Sequence, residues 1–246
     1  MINKIKYNIS FLFYMFAPII SAVGFAVLTF PVTQLLNIST SDFTGIEYIY
    51  ISILELSFMS IGCLLFIHYA SKSDRLSINY YDIIHHSNFT KNHIIWTVGT
   101  IIMLLVVNTI FGIMSTIFEF EVSENMLFDI ISGDPIYLLY FIPVMILLVG
   151  PVEELIFRGI IQSVIRKYSS VYPAIIFTSL FFGLIHIPAA GGLNIEAFGY
   201  VVVTFALSIL LGWVYEHKKS IYIPMLAHGF YNAILVFIVY YQIVYM

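Results

Sequence analysis

Long apolar stretches recur along almost the whole of this 246-residue chain, separated only by short polar segments. A helix needs roughly 20 apolar residues to cross the hydrocarbon core of a bilayer, whereas a transmembrane β-strand needs about ten residues of alternating polarity. Hydrophobic residues make up 61% of the chain and charged residues 10%, against about 25% charged residues in a typical soluble protein. The sequence therefore predicts an all-α fold, a polytopic membrane helix bundle.

The apolar runs predict seven transmembrane helices, at residues 9–36, 46–70, 93–118, 136–165, 172–188, 197–216 and 221–244. The first run lacks an obvious small-residue cleavage site, so we interpret it as an uncleaved helix rather than a secretory signal. No repeat or Pro/Gly/Ser-rich linker divides the chain, which predicts a single integral membrane domain over 1–246. The lone Cys63 predicts buried packing and neither a disulfide nor a metal cluster.

The basic residues predict the orientation of these spans, because cytoplasmic loops of membrane proteins are enriched in Lys and Arg. Alternate loops contain the basic residues Lys4, Lys6, Lys72, Arg75, Lys91, Arg166, Lys167, Lys218 and Lys219. The intervening loops contain only acidic charges, at Asp42, Glu47, Glu119, Glu121, Glu124, Asp129, Asp134 and Glu196. We therefore expect a multi-pass protein of the cell membrane with a cytoplasmic N-terminus and an extracytoplasmic C-terminus.

Span four carries charged residues where lipid would disfavour them. Glu153, Glu154 and Arg158 lie inside it, and an ionised side chain at the bilayer centre costs roughly 2.5 to 3.5 kcal/mol. Residues four apart share a helix face, so Glu154 and Arg158 can pair while Glu153 points elsewhere. Pro151 removes a backbone donor and is expected to kink or loosen this helix. The spacing predicts one anchored carboxylate and one that is free for chemistry.

Two further spans carry polar pairs with the same four-residue spacing. Phe182 and His186 lie in span five, and His228 and Asn232 lie in span seven. Counted at about 1.5 Å per residue from the ends of their spans, Glu153, His186 and Asn232 reach a similar depth, roughly 20 Å. Each pair alone is also compatible with ordinary interhelical hydrogen bonding. Taken together, the three pairs are compatible with one shared site.

These motifs, in this order on successive membrane helices, resemble those of the CPBP family of CAAX proteases and bacteriocin-processing enzymes, also called Abi. The resemblance covers roughly residues 136–244, which it marks as a catalytic core with motifs on spans four, five and seven. Residues 1–118 would form accessory N-terminal spans. The resemblance implies an intramembrane endopeptidase with a polar cavity open to the cytosol, and the chain length is similar to that of bacterial members.

The resemblance also implies a role for each motif residue. Glu153 would act as the general base, and His186 would help to hold the attacking water. His228 and Asn232 would donate hydrogen bonds to the oxyanion. Glu154 and Arg158 would keep the site in shape, and Phe182 would share this structural, orienting role. The expected partners are the lipid bilayer and a membrane-associated peptide or protein substrate, with no nucleic acid.

Several alternatives remain open from the sequence. Glu153, His186 and His228 also match a catalytic zinc set with an open position, although the resemblance favours a site without cofactor or metal. A catalytically silent immunity or regulatory protein of the same fold, or an ion-coupled transporter, would also contain intramembrane charges. Glu55, in span two, could line the cavity or bond a neighbouring helix. Because it has no matched partner in the sequence, we interpret it as structural.

Overall fold

A computed structural model of the chain describes residues 45–72, 89–120 and 134–246. Six helices account for these segments, and none of the described residues forms a β-strand. We label them α1 (Gly45–Lys72), α2 (Lys91–Ile117), α3 (Ile136–Tyr168), α4 (Val171–Ile185), α5 (Ile195–Lys218) and α6 (Tyr222–Tyr245). The predicted all-α membrane fold is confirmed.

Six of the predicted spans correspond to these helices, and the predicted span 9–36 lies outside the described residues. Five of the helices are long and apolar enough to cross a membrane, which makes the chain a multi-pass membrane protein. The exception is α4, which has 15 residues and ends at Ile185 rather than continuing to residue 188 as predicted. Pro188 disfavours helical backbone just before it and starts a short 3₁₀ turn, Pro188–Ala190.

The helix α3 lies at the centre of the bundle, where it contacts α1, α4, α5 and α6. One apolar core joins α1, α3, α4 and the second half of α6, and it includes Cys63, Phe157, Phe182 and Val236. A second, smaller core joins α2 to α5 and α6. The polar motif residues of α3 are thus surrounded by protein on several sides.

The helix α3 is irregular around its charged residues. Two π-helical segments, Met145–Val149 and Leu155–Gln162, lie on either side of the single α-helical stretch Gly150–Glu154. Pro151 is the second residue of this stretch and cannot donate a backbone hydrogen bond. The disruption of the helix that was expected near Pro151 takes the form of the widened π-helical turns on either side. Such π segments occur preferentially at functional sites.

Ion pairs and a cation–π contact bring the predicted cytoplasmic loops to one end of the bundle. Glu216, at the end of α5, pairs with Arg166 at the end of α3 at 3.3 Å and with Lys219 at 2.9 Å. Lys218 Nζ lies 3.3 Å from the ring centroid of Trp96, near the start of α2. The basic ends of α3 and α5 and the start of α2 therefore share one side, as the alternating charge pattern requires.

Candidate active site

Glu154 and Arg158 form a fully buried ion pair on α3. Arg158 Nη1 donates to Glu154 Oε1 at 2.8 Å, and both side chains are about 0% exposed. The other terminal nitrogen of Arg158 donates to the backbone oxygen and the hydroxyl of Ser208 on α5, at 2.9 and 2.8 Å. The predicted pairing is confirmed, and α5 contributes a second anchor that the sequence analysis missed. Ser208 is a small polar residue in an apolar span, which is a weak signal by itself.

His228 joins α6 to the same carboxylate. Its Nδ1 lies 2.9 Å from Glu154 Oε1, and the residue is 6% exposed. Because an ionised Glu154 can only accept hydrogen bonds, Nδ1 of His228 is the donor. This bond fixes the ring so that Nε2 is directed to Glu153, 3.9 Å from Glu153 Oε2. His228 therefore lies between the two carboxylates.

The two glutamates differ in accessibility and in bonding. The side chain of Glu153 is 19% exposed, whereas that of Glu154 is 0% exposed. Among the described residues Glu153 accepts no hydrogen bond, and its 3.9 Å separation from His228 Nε2 is too long for a direct one. One carboxylate is thus anchored, and its neighbour is accessible to a reactant.

Phe182 and His186 complete the cluster from α4. The rings of Phe182 and His186 lie 4.5 Å apart, and Phe182 also contacts the ring of His228 at 5.9 Å. Arg158 lies over the face of Phe182, 5.2 Å from its centroid. His186 is the first residue beyond α4. Its Nδ1 lies 2.7 Å from the carbonyl oxygen of Phe182, in the last turn of that helix. The carbonyl accepts this bond, so Nε2 of a neutral His186 is left as an acceptor.

Asn232 is the one proposed site residue without a partner in the cluster. It is half-buried on α6, one turn beyond His228, and it forms no hydrogen bond with any described residue. Its four-residue spacing places it on the same face of α6 as His228. The structure therefore brings Glu153, Glu154, Arg158, Phe182, His186 and His228 together and leaves Asn232 next to them.

A glycine crossing sets the distance between α3 and α6 at this site. A methyl group on Gly150 would lie 2.5 Å from the backbone nitrogen of Gly229, and one on Gly229 would lie 2.9 Å from the Cα of Ile146. Only glycine permits such a close backbone approach. Because Gly229 follows His228 directly, this crossing holds His228 against Glu154.

Polar residues continue from Arg158 to the basic end of the bundle. Gln162, which is fully buried, donates to the carbonyl of Gly212 at 3.2 Å and to Glu216 at 3.2 Å. Glu216 in turn pairs with Arg166. Together with the Arg158 bonds to Ser208, these contacts form a polar ladder between α3 and α5. Neither Gln162 nor Glu216 was predicted from the sequence to take part in the site.

The zinc alternative does not fit this arrangement. No group of three or more His, Cys, Asp or Glu side chains in the described part of the chain is placed to hold a metal ion. Glu153, His186 and His228 therefore do not form a metal site as they are arranged, and no step below is routed through a metal.

Comparison with known proteins gives a match to a protein family. Residues 135–234 match the family model described as "Type II CAAX prenyl endopeptidase Rce1-like". No curated protein and no solved structure matches the chain. The matched segment contains every motif residue from Glu153 to Asn232, and it confirms the resemblance to the CAAX protease family. Residues 135–234, which are less than half of the chain, are thus similar to the Rce1-like family of type II CAAX prenyl endopeptidases.

Proposed function

We propose that this protein is an intramembrane endopeptidase that hydrolyses a peptide bond in a membrane-associated peptide or protein. The main support is that an accessible Glu153 lies beside an anchored His228 at 3.9 Å, in a segment that matches a protease family. Peptide hydrolysis needs a base for water, stabilisation of the oxyanion and a proton for the leaving amine. Each need has a candidate among the clustered side chains.

Glu153 is the proposed general base. A water next to its carboxylate donates one hydrogen to Glu153 and the other to Nε2 of His186, which is left as an acceptor because Nδ1 is bonded to the Phe182 carbonyl. The oxygen then attacks the substrate carbonyl as its proton moves to Glu153. Glu153 next delivers this proton to the leaving amine, so the protonation state of the site is restored at the end of the reaction.

His228 is the proposed oxyanion donor, together with the amide of Asn232. Since Nδ1 of His228 donates to Glu154, Nε2 carries a hydrogen only when the ring is an imidazolium. Glu154 stabilises that cation through their 2.9 Å hydrogen bond, much as a buried carboxylate orients a catalytic histidine elsewhere. Glu154 and Arg158 are positioning residues in this scheme. The reaction as written requires no metal.

We also propose how the enzyme is oriented in the membrane. The clustering of Arg166, Lys218 and Lys219 at one end of the bundle supports a cytoplasmic location for that end. We therefore propose a cell-membrane protein whose N-terminus is cytoplasmic and whose C-terminus is extracytoplasmic. The segment 136–244 would act as the catalytic core, with 1–118 as accessory spans.

The test compares the wild-type protein with Glu153→Gln, His228→Ala and the control Glu196→Gln, all at matched expression in membranes. Glu196 lies in the first turn of α5, so its substitution makes the same change in charge away from the site. We expect a precursor peptide or protein to accumulate in cells with either of the first two variants but not with the control. A catalytically silent scaffold would tolerate Glu153→Gln, and that outcome would overturn the proposal. Activity that is lost on chelation and restored by zinc would overturn the metal-free mechanism.

A further inference from the structure

Four buried polar atoms inside the bundle have no hydrogen-bond partner among the described residues. They are Nε of Arg158 and Oε1 of Gln162 on α3, and the hydroxyl oxygens of Thr178 and Ser179 on α4. Each of these residues is at most 1% exposed. A buried polar atom without a partner costs free energy, so such atoms usually mark a bound group or a bound water. The mechanism proposed above uses none of the four.

The register of α4 against α3 places Thr178 opposite Gln162. The two helices are antiparallel neighbours, because the turn that joins them is only two residues long. Arg158 lies over the ring of Phe182, 5.2 Å from its centroid. Gln162 is about one turn further along α3, and Thr178 is one turn back along α4, so the two lie at the same level.

The register of α4 against α5 places Ser179 opposite Ser208. The helices meet at two glycine contacts, those of Gly183 with Val201 and of Gly212 with Ile175. Ser179 lies midway between these contacts on α4, and Ser208 lies between them on α5. Because Ser208 accepts hydrogen bonds from Arg158, Ser179 is also close to the guanidinium.

The unpartnered atoms of α3 are directed to the same place. The Nε–H and Nη2 donors of Arg158 share one edge of the planar guanidinium, and Nη2 donates to Ser208. The Nε2 of Gln162 donates to Gly212 and Glu216, which identifies Oε1 as its acceptor atom. A methyl group on Gly212 would lie 2.8 Å from this Oε1, so the glycine leaves room beside it. The four atoms therefore face one buried space between α3, α4 and α5.

We propose that this space binds a water molecule that joins α4 to α3 and α5. The four atoms match the bonding capacity of one water, because Arg158 Nε–H donates, Gln162 Oε1 accepts and each hydroxyl can do either. An internal water typically makes about three hydrogen bonds to polar atoms that would otherwise be unsatisfied. The water also holds His186 in place, since His186 lies about two turns beyond Thr178 on the same face. Thr178 is thus a positioning residue, a role that rests on the endopeptidase function proposed above.

Thermal unfolding of the full-length protein in lipid nanodiscs tests the water through one isosteric substitution. Thr178→Val keeps the shape of the side chain and removes the hydroxyl. The control Thr100→Val makes the same change at a buried residue whose hydroxyl bonds its own helix at 2.7 Å. Thr178→Val should lower Tm by about 2–4 °C more than the control, because the water loses a partner. A loss no larger than that of the control, or a rise in Tm, overturns the proposal, since removing an unsatisfied buried hydroxyl does not destabilise a protein.

A double variant tests whether the two hydroxyls share the water. The loss of Tm in Thr178→Val/Ser179→Ala should be clearly smaller than the sum of the two single losses, because residues with a common partner are coupled. Additive losses overturn a shared site. A high-resolution crystal structure of the wild type gives a direct check. It should show a water bonded to Arg158 Nε and Gln162 Oε1, and side chains that fill the space themselves would overturn the proposal.

Cleavage kinetics below the unfolding temperature test the positioning role separately, with the precursor that accumulates in Glu153→Gln cells as the substrate. Thr178→Val should reduce kcat roughly tenfold with little change in KM, whereas Thr100→Val should retain both. If Thr178→Val lowers Tm but leaves kcat unchanged, the water stands and the positioning role fails. If the wild type cleaves no precursor, the endopeptidase function and the positioning role fail together, while the change in Tm still decides the water.

Discussion

The crossing of α3 and α6 gives the sharpest prediction for the site. In Gly150→Ala the added methyl would lie 2.5 Å from the Gly229 nitrogen, 2.7 Å from its Cα and 2.8 Å from the Met225 oxygen. All three are backbone atoms, so no side-chain rotation relieves the overlap. Restoring an ordinary contact of 3.4 Å at the Gly229 nitrogen requires the helices to separate by about 0.9 Å.

That separation breaks the bond on which the proposed mechanism depends. The distance from His228 Nδ1 to Glu154 Oε1 would rise from 2.9 Å to about 3.8 Å, beyond hydrogen-bond range. A misplacement of about 1 Å can reduce catalysis by roughly 10²-fold. Overpacking costs typically 1–3 kcal/mol, and the better helix propensity of alanine offsets at most about 1 kcal/mol of this. Gly150→Ala should therefore lose about 100-fold in kcat and up to about 2 kcal/mol in stability.

The assay needs both cleavage kinetics and thermal unfolding in detergent, with Gly99→Ala as the control. Gly99 is also in a membrane helix, but a methyl group there meets nothing within 4 Å. The same substitution at Gly99 should leave activity unchanged and stability equal or slightly higher. If Gly150→Ala matches Gly99→Ala in both measurements, the crossing does not control the site.

Two further predictions concern the polar ladder. Arg158→Met leaves the buried Glu154 carboxylate without its ionic partner and should destabilise the protein by about 3–5 kcal/mol. The double variant Glu154→Gln/Arg158→Met should recover most of this stability but not the activity. Equal unfolding free energies for the single and double variants would contradict a buried ionic contact. Glu216→Gln should cost no more than about 1 kcal/mol, and less in high salt, because its partner Arg166 is 31% exposed. Unfolding at two ionic strengths measures this effect, and a loss that does not change with salt would argue against an ionic contribution.

The features that sequence could predict are those that depend on local periodicity. Apolar runs predicted α1 to α6, five of which are long enough to cross a bilayer, and the four-residue spacing predicted the contact of Glu154 with Arg158. Likewise, Phe182 contacts His186 because the two residues are four positions apart, about one turn of a helix. In each case the partners are fixed by the geometry of a single helix.

The contacts that sequence missed join residues far apart in the chain. Arg158 and Ser208 are 50 positions apart, and Glu154 and His228 are 74 positions apart. Hydropathy identifies each helix but does not say which face meets which neighbour, because lipid tails are as apolar as the core. The bond to Glu154 makes Nδ1 of His228 a hydrogen-bond donor. The position of His228 in the motif alone did not reveal this.

The π segment explains how one face of α3 stays against α5 over several turns. Residues four apart in an α-helix are rotated by about 40° relative to one another, so a row of four such residues would drift away from its neighbour by about 120°. A π-helix, with roughly 4.4 residues per turn, rotates the same spacing by about 33° in the opposite direction. Because Arg158 and Gln162 lie in the π segment Leu155–Gln162, these rotations largely cancel between Glu154 and Arg166. Arg158, Gln162 and Arg166 of α3 therefore contact Ser208, Gly212 and Glu216 of α5, respectively. This alignment of α3 with α5 holds Glu154 in place for its bond with His228.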